Sequence, residues 1–263
     1  MLFENRTKRL LAAGELAIGL GVYHLRTAAT PILAKTAGYD WLFILGEHGS
    51  FSTQEIGQLC LASLPTGVTP IVQIGPDAFH DGTRALDNGA QGLIVPHVDT
   101  AEKARAIVDA FRYPPIGRRS WGGPPALFGF APPAMGEAQR LSDEEILLTV
   151  MLESPESIEN AEAIASTPGI DILLLGVGDL SAEMGIPDER DHPRIIEAAK
   201  RVSSACRRHG KAMGIGGAYT PALLEIFIGI GARFALAGSD QGLLISAASA
   251  QAKAIKTLLR SEG

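Results

Sequence analysis

Cysteine is scarce in this chain, which contains only Cys60 and Cys206. The two residues are far apart and form no C-x-x-C pair, which argues against a disulfide framework or a zinc ribbon and is typical of the reducing cytoplasm. Long apolar runs are also missing, since stretches such as Ile172–Leu175 and Glu225–Ile230 are far too short to span a bilayer. The charged segment 1–11 lacks the apolar core of a secretion signal. We therefore expect a cytoplasmic protein that has no membrane partner.

Positive charge is not in excess either. The chain has 23 Lys and Arg residues against 29 Asp and Glu residues, for a formal net charge of -6. A mildly acidic protein has no electrostatic reason to bind nucleic acid or an anionic membrane. Its composition is 46% hydrophobic, which is ordinary for a soluble globular protein, and 263 residues is a usual length for one α/β barrel. These features indicate a soluble protein without a nucleic-acid partner.

Eight short apolar runs recur along the chain, separated by longer amphipathic stretches. The runs do not alternate cleanly between polar and apolar residues, which is typical of parallel strands buried on both faces. No G-x-G-x-x-G fingerprint follows the first run, so the pattern favours a single (β/α)₈ TIM barrel over residues 1–263 rather than an open doubly wound sheet. The predicted strands are Ala17–Tyr23, Asp40–Leu45, Thr69–Ile74, Gly92–Val95, Leu147–Leu152, Asp171–Gly176, Lys211–Ile215 and Arg233–Ala237.

Helix signals lie between these runs. Ser52 and Glu55 have the spacing of a capping box, and Pro155 stands where a first helical turn tolerates proline. The stretch 115–142 is rich in Gly and Pro and is predicted to be a long irregular loop, of the kind that is usually functional or part of an interface. The main predicted helices are Asp77–Asn88, Thr100–Phe111, Pro193–His209 and Asp240–Leu259.

Polar residues at the strand ends are the candidates for chemistry, because barrel enzymes place their active sites there. Glu153 and Asp179 each follow a buried apolar strand, and two such carboxylates on neighbouring strands repel each other unless a cation bridges them. A hard divalent cation with waters is a natural bridge. The alternative is that each acid caps the helix that follows it. The other strand-end residues are His24, Glu47, His48, Gln73, Pro96, His97, Gly216, Ser239 and Asp240.

His48 lies in the segment Gly46-Glu47-His48-Gly49, just past the second strand. A histidine at this place can act as a general base near neutral pH, or it can be an ordinary loop histidine bonded to a backbone carbonyl. The same alternative holds for His24 and His97. The turn Gly176-Val177-Gly178-Asp179 could offer backbone N–H groups to a carboxylate or phosphate, or it could be only a tight turn.

Together these motifs resemble the HpcH/HpaI family of metal-dependent (class II) pyruvate aldolases, which includes the 2-keto-3-deoxy-sugar-acid aldolases. The resemblance covers nearly the whole chain, and the motifs occur in the family's order and spacing. They are Ala37–Trp41, Gly46–Gly49, Asp87–Pro96, Arg112–Arg119, Leu152–Ser154 and Gly176–Ser181.

The resemblance implies an aldolase that cleaves or forms a 2-oxo-4-hydroxy acid through an enolate that a metal ion stabilises. It implies Mg²⁺, Mn²⁺ or Co²⁺ on Glu153 and Asp179, and His48 as a base acting through a metal-bound water. Backbone N–H groups of Gly178 and Asp179 would bind the substrate carboxylate. The family's barrel exchanges its last helix between subunits, so the resemblance also implies a homo-oligomer, either a hexamer or a trimer.

This sequence departs from the family pattern at several site positions. Gln73 stands where the family has an arginine that polarises the oxo group, Leu45 where it has an acid, and Met151 where it has a glutamine. The tryptophan expected near the end of the first strand is absent. Gln73 can donate hydrogen bonds but brings no charge, and losing a charged stabiliser at an enolate costs roughly 10²–10³ in rate if nothing compensates. The candidates to compensate are Arg119, His24, His97 or a residue of a neighbouring subunit.

Three functions are compatible with these observations. The first is a divergent aldolase in which another group replaces the missing arginine. The second is a metal-dependent lyase of the same fold that acts on a more apolar or aromatic hydroxy acid, because Val22, Leu45 and Met151 make the pocket more apolar than the family norm. The third is a non-catalytic barrel binding protein, against which the retained pair Glu153 and Asp179 argues.

Overall fold

The computed structural model describes residues 1–258, in which eight parallel strands close a barrel in the order β1 to β8. Each strand pairs with its neighbours in sequence, and β8 pairs with β1. All eight predicted strands are confirmed, with ends that differ by no more than two residues. The strands are β1 Ala17–Val22, β2 Trp41–Leu45, β3 Thr69–Gln73, β4 Gly92–Val95, β5 Leu147–Leu152, β6 Ile172–Gly176, β7 Ala212–Gly216 and β8 Ala232–Ser239.

Helices connect the strands and surround the barrel. The predicted helix Pro193–His209 is confirmed at both ends, and the predicted last residue of the final helix, Leu259, lies outside the described residues. The helices are α1 Arg6–Ala12, α2 Thr30–Thr36, α3 Thr53–Ser63, α4 Phe79–Asp87, α5 Ala101–Phe111, α6 Met135–Glu145, α7 Pro155–Glu159, α8 Ala161–Ala165, α9 Val177–Glu183, α10 Pro193–His209, α11 Pro221–Ile230 and α12 Asp240–Leu258. No helix of residues 1–258 is long and apolar enough to cross a membrane.

The Gly- and Pro-rich stretch 115–142 is more ordered than predicted. A short 3₁₀ turn at Ala126–Phe128 is followed by α6, which begins at Met135. Ala138 on α6 packs against Leu127 and Phe128, and the backbone N–H of Phe3 donates to the Leu127 carbonyl at 3.0 Å. The prediction of an irregular loop was wrong over α6, because the Gly and Pro residues that precede this helix dominate the local composition.

Large apolar side chains fill the barrel interior. Trp41 stacks on Phe234 with ring centroids 3.9 Å apart, and both rings are fully buried. Gly19 makes this packing possible, since a Cβ there would lie 2.2 Å from Trp41 Cε2. Full burial of such a side chain contributes about 1.5–3 kcal/mol. The barrel is therefore a packed core rather than a pore.

The N-terminal segment covers the amino ends of the strands. The buried Asn5 amide donates to the carbonyls of Gln91 at 2.9 Å and Glu145 at 2.8 Å, while its backbone N–H donates to the Glu145 carboxylate. Arg9 on α1 forms an ion pair with the same carboxylate. These contacts tie α1 to β4 and α6, at the end of the barrel away from the predicted site.

The final helix α12 makes few contacts with its own barrel. Of its 19 residues only Asp240 is buried, and Leu244 and Ile245 are more than half exposed. The Asp240 carboxylate accepts the backbone N–H groups of His24 and Leu25, each at 2.8 Å, which fixes the start of α12 to the end of β1. A helix with so many exposed apolar side chains is typical of an element that packs against another molecule.

Candidate active site

A cavity of about 240 Å³ opens at the carboxyl ends of the strands. Most of the predicted site residues contribute to its walls, because the strand ends that carry them converge there. These are Leu45, His48, Gln73, Met151, Glu153, Gly178 and Asp179. Other polar residues that line the cavity are Tyr23, Glu47, His97, Arg190 and Tyr219.

Glu153 directly follows β5 and is only 2% exposed. Its Oε1 accepts the backbone N–H of His97 at 2.8 Å, and the His97 ring Nδ1 lies 3.3 Å from the same oxygen. His97 adopts a left-handed backbone conformation with a φ of 53°. Burial raises the pKa of Glu153 to about 7, with further increases from Asp179 and Glu47, while the contacts with His97 oppose the shift.

The structure argues against helix capping as the role of Glu153. Ser154 caps α7, since its hydroxyl accepts the Ser157 N–H at 3.0 Å. Asp179 is an exposed residue in the first turn of α9, a helix that has no side-chain cap. The Glu153 carboxylate is therefore buried at the cavity, and helix capping, the alternative role that the sequence left open, does not explain its position.

Gly176 allows the Glu153 side chain to pack closely against the end of β6. A Cβ at Gly176 would lie 2.8 Å from Glu153 Oε2 and 3.1 Å from Glu153 Cβ. Any side chain at this position would therefore displace the carboxylate from its place. Both residues line the cavity, so the glycine keeps the Glu153 carboxylate in the cavity wall.

The carboxylates fit a divalent cation that keeps part of its hydration. Among residues 1–258 no group of three or more His, Cys, Asp or Glu side chains could enclose an ion. Mg²⁺ characteristically uses one or two carboxylates and takes its remaining oxygens from water and substrate. The buried Glu153 and the nearby Asp179, which both line the cavity, provide the two carboxylates.

On the opposite wall, Glu47 connects Gln73 with His48. Gln73 Nε2 donates to Glu47 Oε2 at 2.7 Å, and the same carboxylate oxygen lies 3.5 Å from His48 Nε2. Gln73 Oε1 is buried, with no hydrogen-bond partner in the described part of the chain. Leu45 has no polar group that could contact His48. The acid that contacts the His48 ring is instead Glu47. His48 itself is 72% exposed and free to reach a ligand.

The remaining wall is apolar. Leu45 and Met151 are half-buried and line the cavity together with Phe43, Leu174 and Leu236. Met151 Sδ lies 4.0 Å from Gln73 Nε2, so the apolar and polar walls meet at Gln73. The cavity thus combines carboxylates on one side with a surface suited to a methyl or larger apolar group.

Arg119 and His24, two predicted substrate-binding residues, lie outside this cavity. Arg119 is buried, donates to Asp87 at 2.7 Å and places its guanidinium 4.8 Å from the centre of the Tyr113 ring. His24 is exposed, with its Nε2 3.3 Å from Gln241 Oε1. Within one subunit both side chains make structural contacts instead, because long-range partners in α4 and α12 hold them away from the cavity.

Several residues of the cavity did not enter the predicted site. Glu47 was recognised as a strand-end residue without an assigned role, and His97, a candidate to replace the missing arginine, lines the cavity and contacts Glu153. Arg190 lies in the loop between α9 and α10, where no strand end or motif marks it. Tyr219 follows β7 by three residues and interacts with Tyr23, whose hydroxyl pKa burial raises. Only the folded loops bring Arg190 and Tyr219 to the cavity.

The sequence was compared with family models and curated proteins. The model of the HpcH/HpaI aldolase/citrate lyase family matches residues 25–247. A 4-hydroxy-4-methyl-2-oxoglutarate aldolase from Hapsidospora irregularis is 38% identical, over 97% of this chain and 96% of that protein. A 2-keto-3-deoxy-L-rhamnonate aldolase from Klebsiella pneumoniae is 37% identical, over 94% of this chain and 91% of that protein.

Solved structures agree with the sequence comparison. An HpcH/HpaI aldolase from Desulfitobacterium hafniense superposes with a TM-score of 0.88 at 28% identity, covering 98% of this chain and 97% of that chain. Macrophomate synthase superposes with a TM-score of 0.83 at 27% identity, covering all of this chain and 94% of that chain. The predicted family and barrel fold are confirmed: the chain belongs to the HpcH/HpaI aldolase/citrate lyase family, and it is a carbon–carbon lyase of the aldolase type.

Proposed function

We propose that this chain cleaves and forms 4-hydroxy-2-oxo acids, with pyruvate as one product, and that it needs Mg²⁺, Mn²⁺ or Co²⁺. The observation that carries the proposal is the buried Glu153 carboxylate, which lines the cavity together with Asp179. A carboxylate held in this way is costly unless a cation pairs with it. The relatives named as 2-oxo acid aldolases support the same reaction class.

Glu153 and Asp179 are the residues that would hold the metal. When bound, the ion supplies a Lewis acid that stabilises negative charge on the substrate's oxo oxygen. His97 fixes the orientation of Glu153 through its backbone N–H. The backbone N–H groups of Gly178 and Asp179, at the start of α9, would bind the substrate carboxylate.

The remaining residues divide the proton transfers and the positioning. In the cleavage direction His48 accepts the proton of the C4 hydroxyl, and Glu47 orients its ring. The C3–C4 bond then breaks, C4 becomes a carbonyl, and the electron pair remains with C3. Protonation of C3 yields the methyl group of pyruvate. Gln73 occupies the position of the family's arginine and would hydrogen-bond the oxo group through its Nε2.

We further propose that α12 packs on a second subunit of a homo-oligomer, a trimer or a hexamer. Its exposed side chains Leu243, Leu244 and Ile245 would then be buried against the neighbouring subunit. The α12 helix of a neighbour would in turn pack on this subunit. Cys60 and Cys206 are buried free thiols, which agrees with a protein of the reducing cytoplasm.

The apolar wall favours a second candidate within the same reaction class. Leu45 and Met151 would receive a methyl or larger apolar substituent at C4 better than a hydroxylated sugar chain, because sugar hydroxyls buried there would lack partners. The similarity to macrophomate synthase is consistent with this fold accepting a different reaction. Substrates with apolar or aromatic C4 substituents therefore belong in the test.

The experiment is a retro-aldol assay on a panel of 4-hydroxy-2-oxo acids, with pyruvate detected through NADH oxidation by lactate dehydrogenase. We expect no activity after chelation and recovery with Mg²⁺, Mn²⁺ or Co²⁺. Glu153→Gln should lose activity by roughly 10² or more, as expected when a charged stabiliser of the transition state is lost. Glu156→Gln, an exposed neighbour on α7, should behave as wild type. Failure of every substrate with every metal would contradict the proposal.

A further inference from the structure

We propose that Arg190 recognises a second carboxylate on the substrate, so that this aldolase selects 4-hydroxy-2-oxo dicarboxylic acids over aldols with a neutral end. The inference rests on the proposed aldolase function and adds a residue that selects among its substrates. It depends on how Arg190 is held, on its distance from the acids of the cavity, and on its place around the barrel.

The loop between α9 and α10 holds the Arg190 guanidinium at the edge of the cavity. Nη1 donates to the carbonyl of Gly217, just past β7, at 2.6 Å. Nη2 lies 3.6 Å from Asp188, but that carboxylate is 92% exposed and is a weak, solvent-screened partner. Nε is buried and has no hydrogen-bond partner among the described residues. A guanidinium has five N–H donors, and the Gly217 carbonyl takes one of the four on the terminal nitrogens, so other terminal N–H groups can still bind a ligand.

The acids of the cavity do not neutralise Arg190. Its only ion pair within 4.0 Å in residues 1–258 is with Asp188, so Glu47, Glu153 and Asp179 all lie farther away. It is also the only Arg or Lys side chain among the described residues that line this cavity. A guanidinium that a backbone carbonyl holds in place and that no cavity acid neutralises is the group that best binds a carboxylate in bidentate geometry.

Arg190 cannot stand in for the charge missing at Gln73. In a closed barrel of eight strands β7 lies opposite β3, so Arg190, bonded to Gly217, faces Gln73 across the mouth. Glu153, which follows β5, and Asp179, on α9 after β6, lie between the two. A substrate whose 2-oxo acid end is bound at a metal held by these acids can present its oxo oxygen toward Gln73 and its far end toward Arg190.

A dicarboxylic aldol satisfies both ends of this arrangement. The carboxylate next to the oxo group would bind the metal held by Glu153 and Asp179 and the backbone N–H groups at the start of α9, and a second carboxylate would pair with Arg190. An aldol with a neutral end would cover the guanidinium without pairing with it, and a buried polar group without a partner is unfavourable. The site should therefore discriminate by charge at the far end of the substrate.

The test compares 4-hydroxy-4-methyl-2-oxoglutarate with 4-hydroxy-4-methyl-2-oxopentanoate, in which a methyl group replaces the second carboxylate. The dicarboxylate releases two molecules of pyruvate and the monocarboxylate releases one pyruvate and one acetone, so one pyruvate assay, corrected for this stoichiometry, serves for wild type, Arg190→Ala and Arg190→Lys. We expect wild type to prefer the dicarboxylate and Arg190→Ala to reduce this preference in kcat/KM by about 10- to 100-fold, as for loss of a charge-assisted hydrogen bond, mainly through KM. Arg190→Lys should retain part of it.

Arg194→Ala is the matched control, because Arg194 is an exposed arginine on the first turn of α10 outside the cavity. It should keep the preference of wild type. Two results for Arg190→Ala would overturn the proposal. An equal loss of kcat/KM on both substrates would mean that Arg190 binds the 2-oxo acid end that they share. No loss on either would mean that Arg190 only holds the loop in place.

A binding measurement separates this inference from the proposed reaction. Calorimetry with Mg²⁺ present compares 2-oxoglutarate with 2-oxopentanoate, which again differ by one carboxylate against one methyl group. Tighter binding of 2-oxoglutarate that disappears in Arg190→Ala supports the role of Arg190. If this result is obtained and no aldol is cleaved, the proposed aldolase function is wrong but the role of Arg190 in binding stands. Pyruvate release without any difference in binding or kinetics refutes the role of Arg190 and leaves the proposed function in place.

Discussion

Replacing Glu153 with glutamine should stabilise the metal-free protein at high pH. The side chain is 2% exposed, and burial raises its pKa from the ordinary 4.5 to about 7. Because the folded protein holds this proton more tightly than the unfolded chain, stability is highest below pH 4.5 and falls until the pH passes 7. At 1.36 kcal/mol per pKa unit the ionised carboxylate costs the fold about 3 kcal/mol.

Glutamine keeps the shape of the side chain and can still accept the His97 N–H through its Oε1, but it carries no charge. After chelation, Glu153→Gln should match wild type near pH 5 and exceed it by up to about 3 kcal/mol at pH 8. For a chain of this size that corresponds to about 5–10 °C in Tm. Circular dichroism during urea and thermal unfolding at the two pH values measures both quantities.

Adding Mg²⁺ or Mn²⁺ should make wild type more stable than Glu153→Gln at pH 8. A ligand at 1,000 times its Kd stabilises the folded state by about 4.1 kcal/mol, which exceeds the cost of about 3 kcal/mol, and wild type should gain this while Glu153→Gln gains little. Glu156→Gln should follow wild type throughout, which excludes a general effect of removing a negative charge. If chelated Glu153→Gln is instead less stable than wild type at pH 8, the carboxylate is a structural group and the metal site is refuted.

Three further changes test the rest of the site. Gly176→Ala should weaken metal binding in calorimetry by about tenfold, because its Cβ would meet Glu153 Oε2 at 2.8 Å. The control Gly229→Ala, with open space at its Cβ, should bind the metal as wild type does. Equal affinities of the two variants would refute the packing argument. Gln73→Arg should bind oxalate about tenfold more tightly, as expected for a charged donor, and an unchanged Kd would mean that another group already provides the charge. Leu244→Glu on α12 should reduce the mass measured in sedimentation, and an unchanged mass would contradict the role of this helix in assembly.

The sequence predicted the barrel because its signals are local. Parallel strands buried on both faces are short apolar runs, and each run, such as Leu147–Leu152 or Ile172–Gly176, can be recognised without knowledge of its neighbours. The same logic placed Glu153 and Asp179, since residues that directly follow such strands must lie at one end of the barrel. Helix α6 escaped this logic because its packing partners belong to the preceding turn and the N-terminus.

The arginines could not be assigned from local signals. Arg119 belongs to a family motif, but its ion pair with Asp87 spans 32 positions and draws the guanidinium into the fold instead of the cavity. Arg190 belongs to no strand end and reaches the cavity only because the α9–α10 loop is bonded to the Gly217 carbonyl. The position of a long cationic side chain depends on such tertiary partners, whereas that of an acid directly after a strand depends on the strand.

The charges at the cavity explain why metal and substrate should bind together. Glu47, Glu153 and Asp179 place three carboxylates around a small volume, and Arg190 is the one guanidinium that lines it among the described residues. An anionic 2-oxo acid entering this cavity is repelled by more charge than Arg190 can offset. A divalent cation between Glu153 and Asp179 would bring these groups to neutrality and leave Arg190 free for the second carboxylate. Metal affinity and substrate affinity should therefore be coupled, with each tightening the other by the same factor.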